Sequence, residues 1–221
     1  MVQLRLALRA ILPSAVASAV DQAADAPEPF QYREEGQHLA NAVLKRRNEF
    51  IAGRRSARAA LADVGIAAGA LLPDVDRMPV WPPGSIGSIS HSCGLCCAVA
   101  ASKGAFRAVG IDLEKTTRMS ASVMQRVLHP LEAAYVADDM SLASLIFSAK
   151  EAFFKTQFPI WRAQPEFEDI ALQLEESAQK LSIVKIASHL PQELCVATQA
   201  LQFRYQFFDD YVVTVCWLTH G

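Results

Sequence analysis

Long uninterrupted apolar runs are missing from this sequence, and so is a surplus of either charge. Its 21 Lys and Arg stand against 23 Asp and Glu, a formal net charge of −2. No overall field therefore draws nucleic acid or acidic lipid, and a bound anion has to be held by a local cationic patch. The longest uncharged window, Met78 to Ser102, is broken by Pro79, Pro82, Pro83, Gly84 and Gly87, which rules it out as a membrane span. There is no G-x-G-x-x-G, no P-loop, no internal repeat and no low-complexity tract. The five cysteines, Cys93, Cys96, Cys97, Cys195 and Cys216, are odd in number and form no regular framework, which fits reduced thiols in a cytoplasmic protein. Cys93 and Cys96 make one C-x-x-C beside His91, but no second pair follows. The reading is small buried strand residues, not zinc ligands.

What the chain has is hydrophobic content, 52% of 221 residues. That is enough for a substantial core, as one large domain or as two halves of about 110 residues. Leu4, Leu6 and Leu8 alternate with Gln3, Arg5 and Arg9, a pattern that reads as an N-terminal strand rather than a signal segment. From about Gln37 to Val64 a long helix is expected, with Leu39, Val43, Phe50, Ala57 and Leu61 in one sector. Gly53 marks a bend or break in it. Beside that sector project Arg47, Arg54, Arg55 and Arg58, with Lys45 and Arg46 extending the run. Solvated arginines and a phosphate clamp both fit such a face; in a slightly acidic chain the clamp is favoured.

After a Gly/Pro-rich connection, Ser85 to Ser92 reads as a short strand ending near His91. The Cys-rich strand, a turn at Lys103-Gly104 and a strand through residue 112 follow. Short helices are expected over Ser120–Leu128 and Pro130–Ala137, then a main helix capped by Ser141. Strands are expected around Phe167–Leu174, Leu181–Ile186 and Tyr211–Leu218. This interleaving of short strands and helices favours α+β over a doubly wound sheet.

Two stretches carry the chemistry. In Val109-Gly110-Ile111-Asp112-Leu113-Glu114 the period of two places Asp112 and Glu114 on one strand face, about 6.6 Å apart along the strand. A solvated strand end accounts for such a pair, and so does a hard cation between two carboxylates, with oxygen donors favouring Mg²⁺ over zinc. In Phe147-Ser148-Ala149-Lys150-Glu151-Ala152-Phe153-Phe154-Lys155, the stripe Leu142, Leu145, Ile146, Ala149 and Phe153 leaves Glu151 on the opposite side, among Phe147, Phe154 and Phe158. An acid on a helix apolar on both sides sits at an interface and needs a cation. Lys155, one turn on, supplies one, either as an ordinary i, i+4 pair or as part of a site. His91 is open to two readings in the same way, as a core histidine or as a site residue.

Taken together, Lys45-Arg46-Arg47…Phe50…Gly53-Arg54, Gly87-Ser88-Ile89-Ser90-His91-Ser92, the strand Gly110 to Glu114 and the helix Phe147 to Lys155 resemble the 4′-phosphopantetheinyl transferases. The likeness is to the enterobactin-synthase-associated subgroup of the larger, monomeric class, linked to siderophore biosynthesis, and it runs from about Asn41 to Phe158. It implies an α+β pseudo-dimer of two similar halves with the active site in the cleft between them. Residues 1–108 would form the nucleotide-clamping half, and 109–221 the half with the metal site and the docking surface. It implies Mg²⁺-dependent transfer of the phosphopantetheine arm of coenzyme A to a serine of an apo acyl or peptidyl carrier protein, releasing 3′,5′-adenosine bisphosphate. By the same resemblance Asp112, Glu114 and Glu151 are the metal ligands, and Glu151, Lys155 and Asp112 are catalytic. Arg47, Arg54, Arg55, Ser90, His91, Lys150 and Lys155 contact coenzyme A, with Arg77 a further candidate. The expected protein is a cytoplasmic monomer without nucleic-acid partner. The carrier is expected along Arg118 to Val136, where Arg118, Met119, Val123, Met124 and Arg126 offer a mixed basic and apolar surface. Two other functions use parts of the same equipment: a Mg²⁺-dependent nucleotide phosphohydrolase, and a non-catalytic module that binds coenzyme A or a carrier protein.

Overall fold

The computed structural model describes residues 1–39 and 41–220. In chain order the elements are α1 (Val2–Ile11), β1 (Val16–Gln22), α2 (Arg33–Gln37), α3 (Leu44–Asp63), β2 (Ser85–Ser92), β3 (Leu95–Ser102) and β4 (Phe106–Lys115). There follow α4 (Ala121–Val127), α5 (Pro130–Val136), α6 (Met140–Trp161), β5 (Ile170–Glu175), β6 (Lys180–Ile186), α7 (Gln192–Ala197), β7 (Gln202–Phe208) and β8 (Tyr211–Thr219). One antiparallel sheet has the order β1-β3-β2 and the other β4-β8-β7-β6-β5. Each carries a long helix, α3 on the first and α6 on the second. This repeated plan is the α+β pseudo-dimer expected from the sequence.

The two sheets meet edge to edge along β2 and β4, and the serines of β2 make the join. Ser88 Oγ accepts from the Ile111 amide at 3.1 Å, Ser90 Oγ from Leu113 at 3.2 Å and Ser92 Oγ from Lys115 at 3.2 Å. Period two puts these hydroxyls on one side of the strand, where they satisfy edge amides that would otherwise lack partners. An exposed pair of sheet edges becomes an internal seam.

On the other side of β4, Val109, Ile111 and Leu113 enter a core shared with Leu4, Leu8 and Ile11 of α1 and with Val213 and Val215 of β8. The even residues Gly110, Asp112 and Glu114 face α6. A Cβ at Gly110 would collide with the Ala152 carbonyl and Thr156 Oγ1, so glycine is what allows α6 to lie so close. The α6 stripe is fully buried at Leu145, Ile146, Ala149 and Phe153, the three large side chains contributing roughly 1.5–3 kcal/mol each.

Several local expectations are corrected. The first element is a helix, because Leu4, Ala7, Leu8 and Ile11 are buried at helical spacing while Leu6 is 54% exposed. The long helix starts at Leu44, and Val43 is its exposed N-cap residue. Gly53 does not break it; a Cβ there would stand 3.0 Å from Ile89 Cγ2, so the glycine seats α3 on β2. Asp139, not Ser141, caps α6, accepting from the Ser141 and Leu142 amides at 2.8 and 2.9 Å. β1, β7 and α7 were not expected from the sequence.

Among the described residues no helix is long and apolar enough to cross a membrane. Cys96 and Cys97 are buried in β3, and burial pushes the Cys96 thiol up to about 12. These two are the buried strand residues expected; Cys93 is not, since it is exposed in the turn between β2 and β3.

Candidate active site

Asp112 is the centre of the site. It projects from β4 toward α6, is 3% exposed, and receives Lys155 Nζ on Oδ1 at 2.6 Å and Ser90 Oγ on the same oxygen at 2.9 Å. Lys155 also reaches Ser90 Oγ, at 3.2 Å. One strand from each half and the α6 helix thus converge on a single carboxylate oxygen. Lys155 loses hydration here, which lowers its proton affinity, but the charge and hydrogen bond of Asp112 outweigh that and raise it. It is held as an ammonium.

Glu114 and Glu151 stand near enough to Asp112 to feel its charge. Burial first, then Asp112, pushes Glu114 up to about 7. Glu151 is raised by the same two causes in the same order. Asp112 Oδ2 is buried and has no hydrogen-bond partner. A hard divalent cation fits this donor set, which offers only carboxylate oxygens, leaves one of them unsatisfied, and holds acids that resist ionising until positive charge arrives. Among the described residues the three carboxylates do not form a ready ligand cage; Asp112 Oδ1 is neutralised by Lys155 instead.

Beside this cluster opens a pocket of about 220 Å³ that takes walls from both halves. Trp81, Phe50, Phe154 and Phe158 supply its aromatic surface, and Arg46, Arg54, Arg77 and Lys155 its positive charge. The Trp81 ring lies against β2 where a Cβ at Gly87 would strike it. Phe154 and Phe158 stack with centroids 4.9 Å apart. Arg54 is buried, donates its Nε to the Leu71 carbonyl at 2.9 Å and lies 4.1 Å over the Phe50 ring. Burial brings it down to about 10, still charged at neutral pH.

His91 sits on the pocket wall between Arg46 Nη1, 2.6 Å from its Nε2, and Glu49 Oε2, 3.5 Å from its Nδ1. A guanidinium only donates, so Nε2 is the acceptor and the ring is neutral with its proton on Nδ1. Burial holds its proton affinity below the usual imidazole range, against the pull of Glu49.

The structure thus gathers Asp112, Glu114, Glu151, Lys155 and Ser90 in one cluster, and His91, Arg54 and Arg77 on the pocket that Lys155 shares with it. Arg58 of the expected clamp pairs instead with the buried Glu35 at 2.6 Å, and three residues expected to contact coenzyme A also lie elsewhere. Arg47 donates to the Glu28 carbonyl at 3.0 Å and covers the Phe30 ring. Arg55 pairs with Asp21 at 2.5 Å and with Glu28 at 2.8 Å. Lys150 is buried, where Glu132 Oε2 at 2.6 Å and the Val127 and Phe167 carbonyls at 2.9 and 2.8 Å take its three donors. From the sequence Arg46 was read only as extending the cationic run, and Glu49 was not taken as a site residue. Their signal was present: residues 46, 49, 50, 53 and 54 are spaced so as to share one face of α3 with Phe50 and Gly53.

A second groove adjoins Glu114, lined by Arg118, Met119, Val123, Ser144 and Phe147. It includes part of the segment expected to meet a carrier protein. Within that segment Arg118, Val123 and Arg126 are exposed, whereas Met119 and Met124 are half-buried.

Residues 34–101 match the family model of the 4′-phosphopantetheinyl transferase N-terminal domain, and residues 108–216 that of the 4′-phosphopantetheinyl transferase superfamily. The chain is 34% identical over 179 residues to 4′-phosphopantetheinyl transferase Svp of Streptomyces mobaraensis, covering 77% of this chain and 73% of that one. It is 36% identical over 155 residues to 4′-phosphopantetheinyl transferase PptT of Mycobacterium tuberculosis, 68% of each chain. Enterobactin synthase component D of Salmonella typhi is 36% identical over 126 residues, 53% of this chain and 50% of that one.

Proposed function

This chain belongs to the 4′-phosphopantetheinyl transferases, and from that premise we propose that it uses coenzyme A and a divalent cation to arm an apo acyl or peptidyl carrier protein, with 3′,5′-adenosine bisphosphate as the second product. The carrying observation is that Lys155 belongs to two things at once. It is bonded to Asp112 in the carboxylate cluster, and it lines the aromatic and cationic pocket. A pyrophosphate bridging pocket and cluster would lie against it.

In this reading residues 1–108 form the nucleotide half and 109–221 the half that reacts, the protein being a cytoplasmic monomer. The adenine ring packs against Trp81 and the phenylalanines, while Arg46, Arg54 and Arg77 receive phosphates. Ser90 and His91 complete that wall. Asp112, Glu114 and Glu151 would hold Mg²⁺, whose chemistry when bound is to offset the charge of the pyrophosphate so that a nucleophile can approach. Lys155 then turns from Asp112 to the phosphate that leaves, where negative charge grows. Glu151, its proton affinity raised by burial, accepts the proton of the incoming carrier serine. The groove of Arg118, Met119 and Val123 next to Glu114 receives the carrier, its basic rim suited to an acidic partner.

The test is the intact mass of an apo carrier protein after incubation with this protein, coenzyme A and Mg²⁺. Gain of one phosphopantetheine arm is the expected result. Cleavage of coenzyme A with an unmodified carrier would identify a phosphohydrolase, and neither change a binding module.

A further inference from the structure

Glu49 is the one acid among the residues lining a pocket otherwise furnished with arginines, lysine and aromatic rings. In a pocket that takes phosphate, a bare carboxylate is unfavourable. It is also poorly compensated: Glu49 is 7% exposed, and the only cationic side chain within ion-pair distance of it among the described residues is His91. That histidine is neutral in the free protein, because Arg46 donates to its Nε2. A buried acid thus faces the one pocket residue that can gain a charge near neutral pH.

An arriving phosphate changes this balance. Arg46 gains a stronger, doubly charged acceptor, and Nε2 loses its donor. With Glu49 at Nδ1, the ring can then carry protons on both nitrogens, one aimed at the carboxylate and one at the anion. We propose that Glu49 is a positioning residue that couples donor binding to the uptake of one proton by His91. The proton comes from solvent and goes to Nε2. No bond is broken beyond the hydrogen bond to Arg46, and the complex carries one more positive charge than its separate parts. Glu49 then faces an imidazolium instead of standing uncompensated beside the phosphate. The other charges facing the ring are Arg46 on its own side of α3, Lys155 from α6 and Asp112 from β4, with Arg54 and Arg77 around the pocket. The last four form a fixed background, since Lys155 and Asp112 are already paired and the guanidinia do not titrate near neutrality.

The inference rests on the reading that this pocket binds the nucleotide end of coenzyme A. Calorimetry of coenzyme A binding in divalent-free solution at about pH 7.5, in buffers of different ionisation enthalpy, counts the protons exchanged. The wild type is expected to take up between about half and one proton more than His91→Asn, which subtracts every other titrating group. Glu49→Gln, which keeps shape but not charge, is expected to lose most of that excess. Its affinity should fall roughly tenfold below about pH 7 and equal or exceed that of the wild type above about pH 8.5, since it also removes a repulsive charge. A purely structural role would weaken binding equally across that range. Equal proton uptake in wild type and His91→Asn, or in wild type and Glu49→Gln, overturns the proposal while leaving the pocket assignment intact. Failure of coenzyme A to bind, by calorimetry and by Trp81 fluorescence alike, overturns both. If Glu49→Gln does not fold, NMR titration of the His91 ring in the wild type decides. Proton affinity should rise at least tenfold on adding coenzyme A, and no rise overturns the coupling.

Discussion

Ser90 of β2 and Asp112 of β4 are joined by a hydrogen bond of 2.9 Å across the seam between the two halves. The same hydroxyl accepts from the Leu113 amide at 3.2 Å and from Lys155 Nζ at 3.2 Å, so one serine ties the seam to the carboxylate cluster. Ser90→Ala should cost about 1–3 kcal/mol by leaving the Leu113 amide unsatisfied, and should also lower turnover. Ser92→Ala, which strips the Lys115 amide of its partner, should cost a similar amount with turnover kept. Denaturant unfolding and carrier modification on both variants separate the two roles.

Removing a carboxylate from the cluster should be far more damaging to rate than to folding. Asp112→Asn and Glu151→Gln are each expected to lower kcat by on the order of 10²–10³, the usual effect of deleting one preorganised electrostatic group. Carrier modification followed by mass measures the rate, and circular dichroism checks the fold.

Stability without divalent cations should depend on pH through Glu114. Its folded value of about 7 lies above the ordinary 4.5. Between those values the folded chain keeps a proton that the unfolded chain has lost, so the free energy of unfolding falls as pH rises through that window. Tm should therefore fall from about pH 4.5 to about pH 7 and level off above. Glu114→Gln should flatten that slope, and Mg²⁺ added at neutral pH should raise Tm in the wild type more than in the variant.

Neighbouring arginines on α3 should behave differently. Arg46→Ala and Arg54→Ala are expected to weaken coenzyme A binding by roughly 10- to 100-fold, the worth of a charge-assisted contact. Arg55→Ala should leave binding within about twofold and cost less than about 1 kcal/mol of stability, since its ion pairs with Asp21 and Glu28 are partly exposed. Calorimetric titration with coenzyme A gives the binding, and urea melts the stability.

Charge reversal at Arg118 or Arg126 should raise KM for an acidic carrier protein several-fold while leaving KM for coenzyme A unchanged. Steady-state kinetics with each substrate varied in turn makes the distinction. An unchanged carrier KM removes this groove as the docking surface.

Much of the fold was legible because its signals are local. The alternation in Val109 to Glu114 and in Ser85 to Ser92, the helical stripe of α6 and the proline opening α5 each depend on residues close in the chain. The N-terminal segment misled because Leu4, Leu6 and Leu8 satisfy a period of two while Leu4, Ala7, Leu8 and Ile11 satisfy a helical one. β7 had a readable pattern, with Phe203, Tyr205 and Phe207 alternating with Gln202, Arg204 and Gln206.

The amino-acid order alone determined the carboxylates of β4 and the acid and lysine of α6, because backbone periodicity fixes which side chains share a face. Only the tertiary structure decided which cations serve the cleft. Arg46 and Arg47 are adjacent in sequence, as are Arg54 and Arg55, and α3 turns by about 100° between neighbours. The direction in which each guanidinium ends is set by what packs beside the helix: Glu28, Phe30 and Asp21 on one side, and His91, Leu71 and the pocket on the other. Lys150 was settled in the same way, by a buried Glu132 that lies 18 residues earlier in the chain and only 2.6 Å away in space.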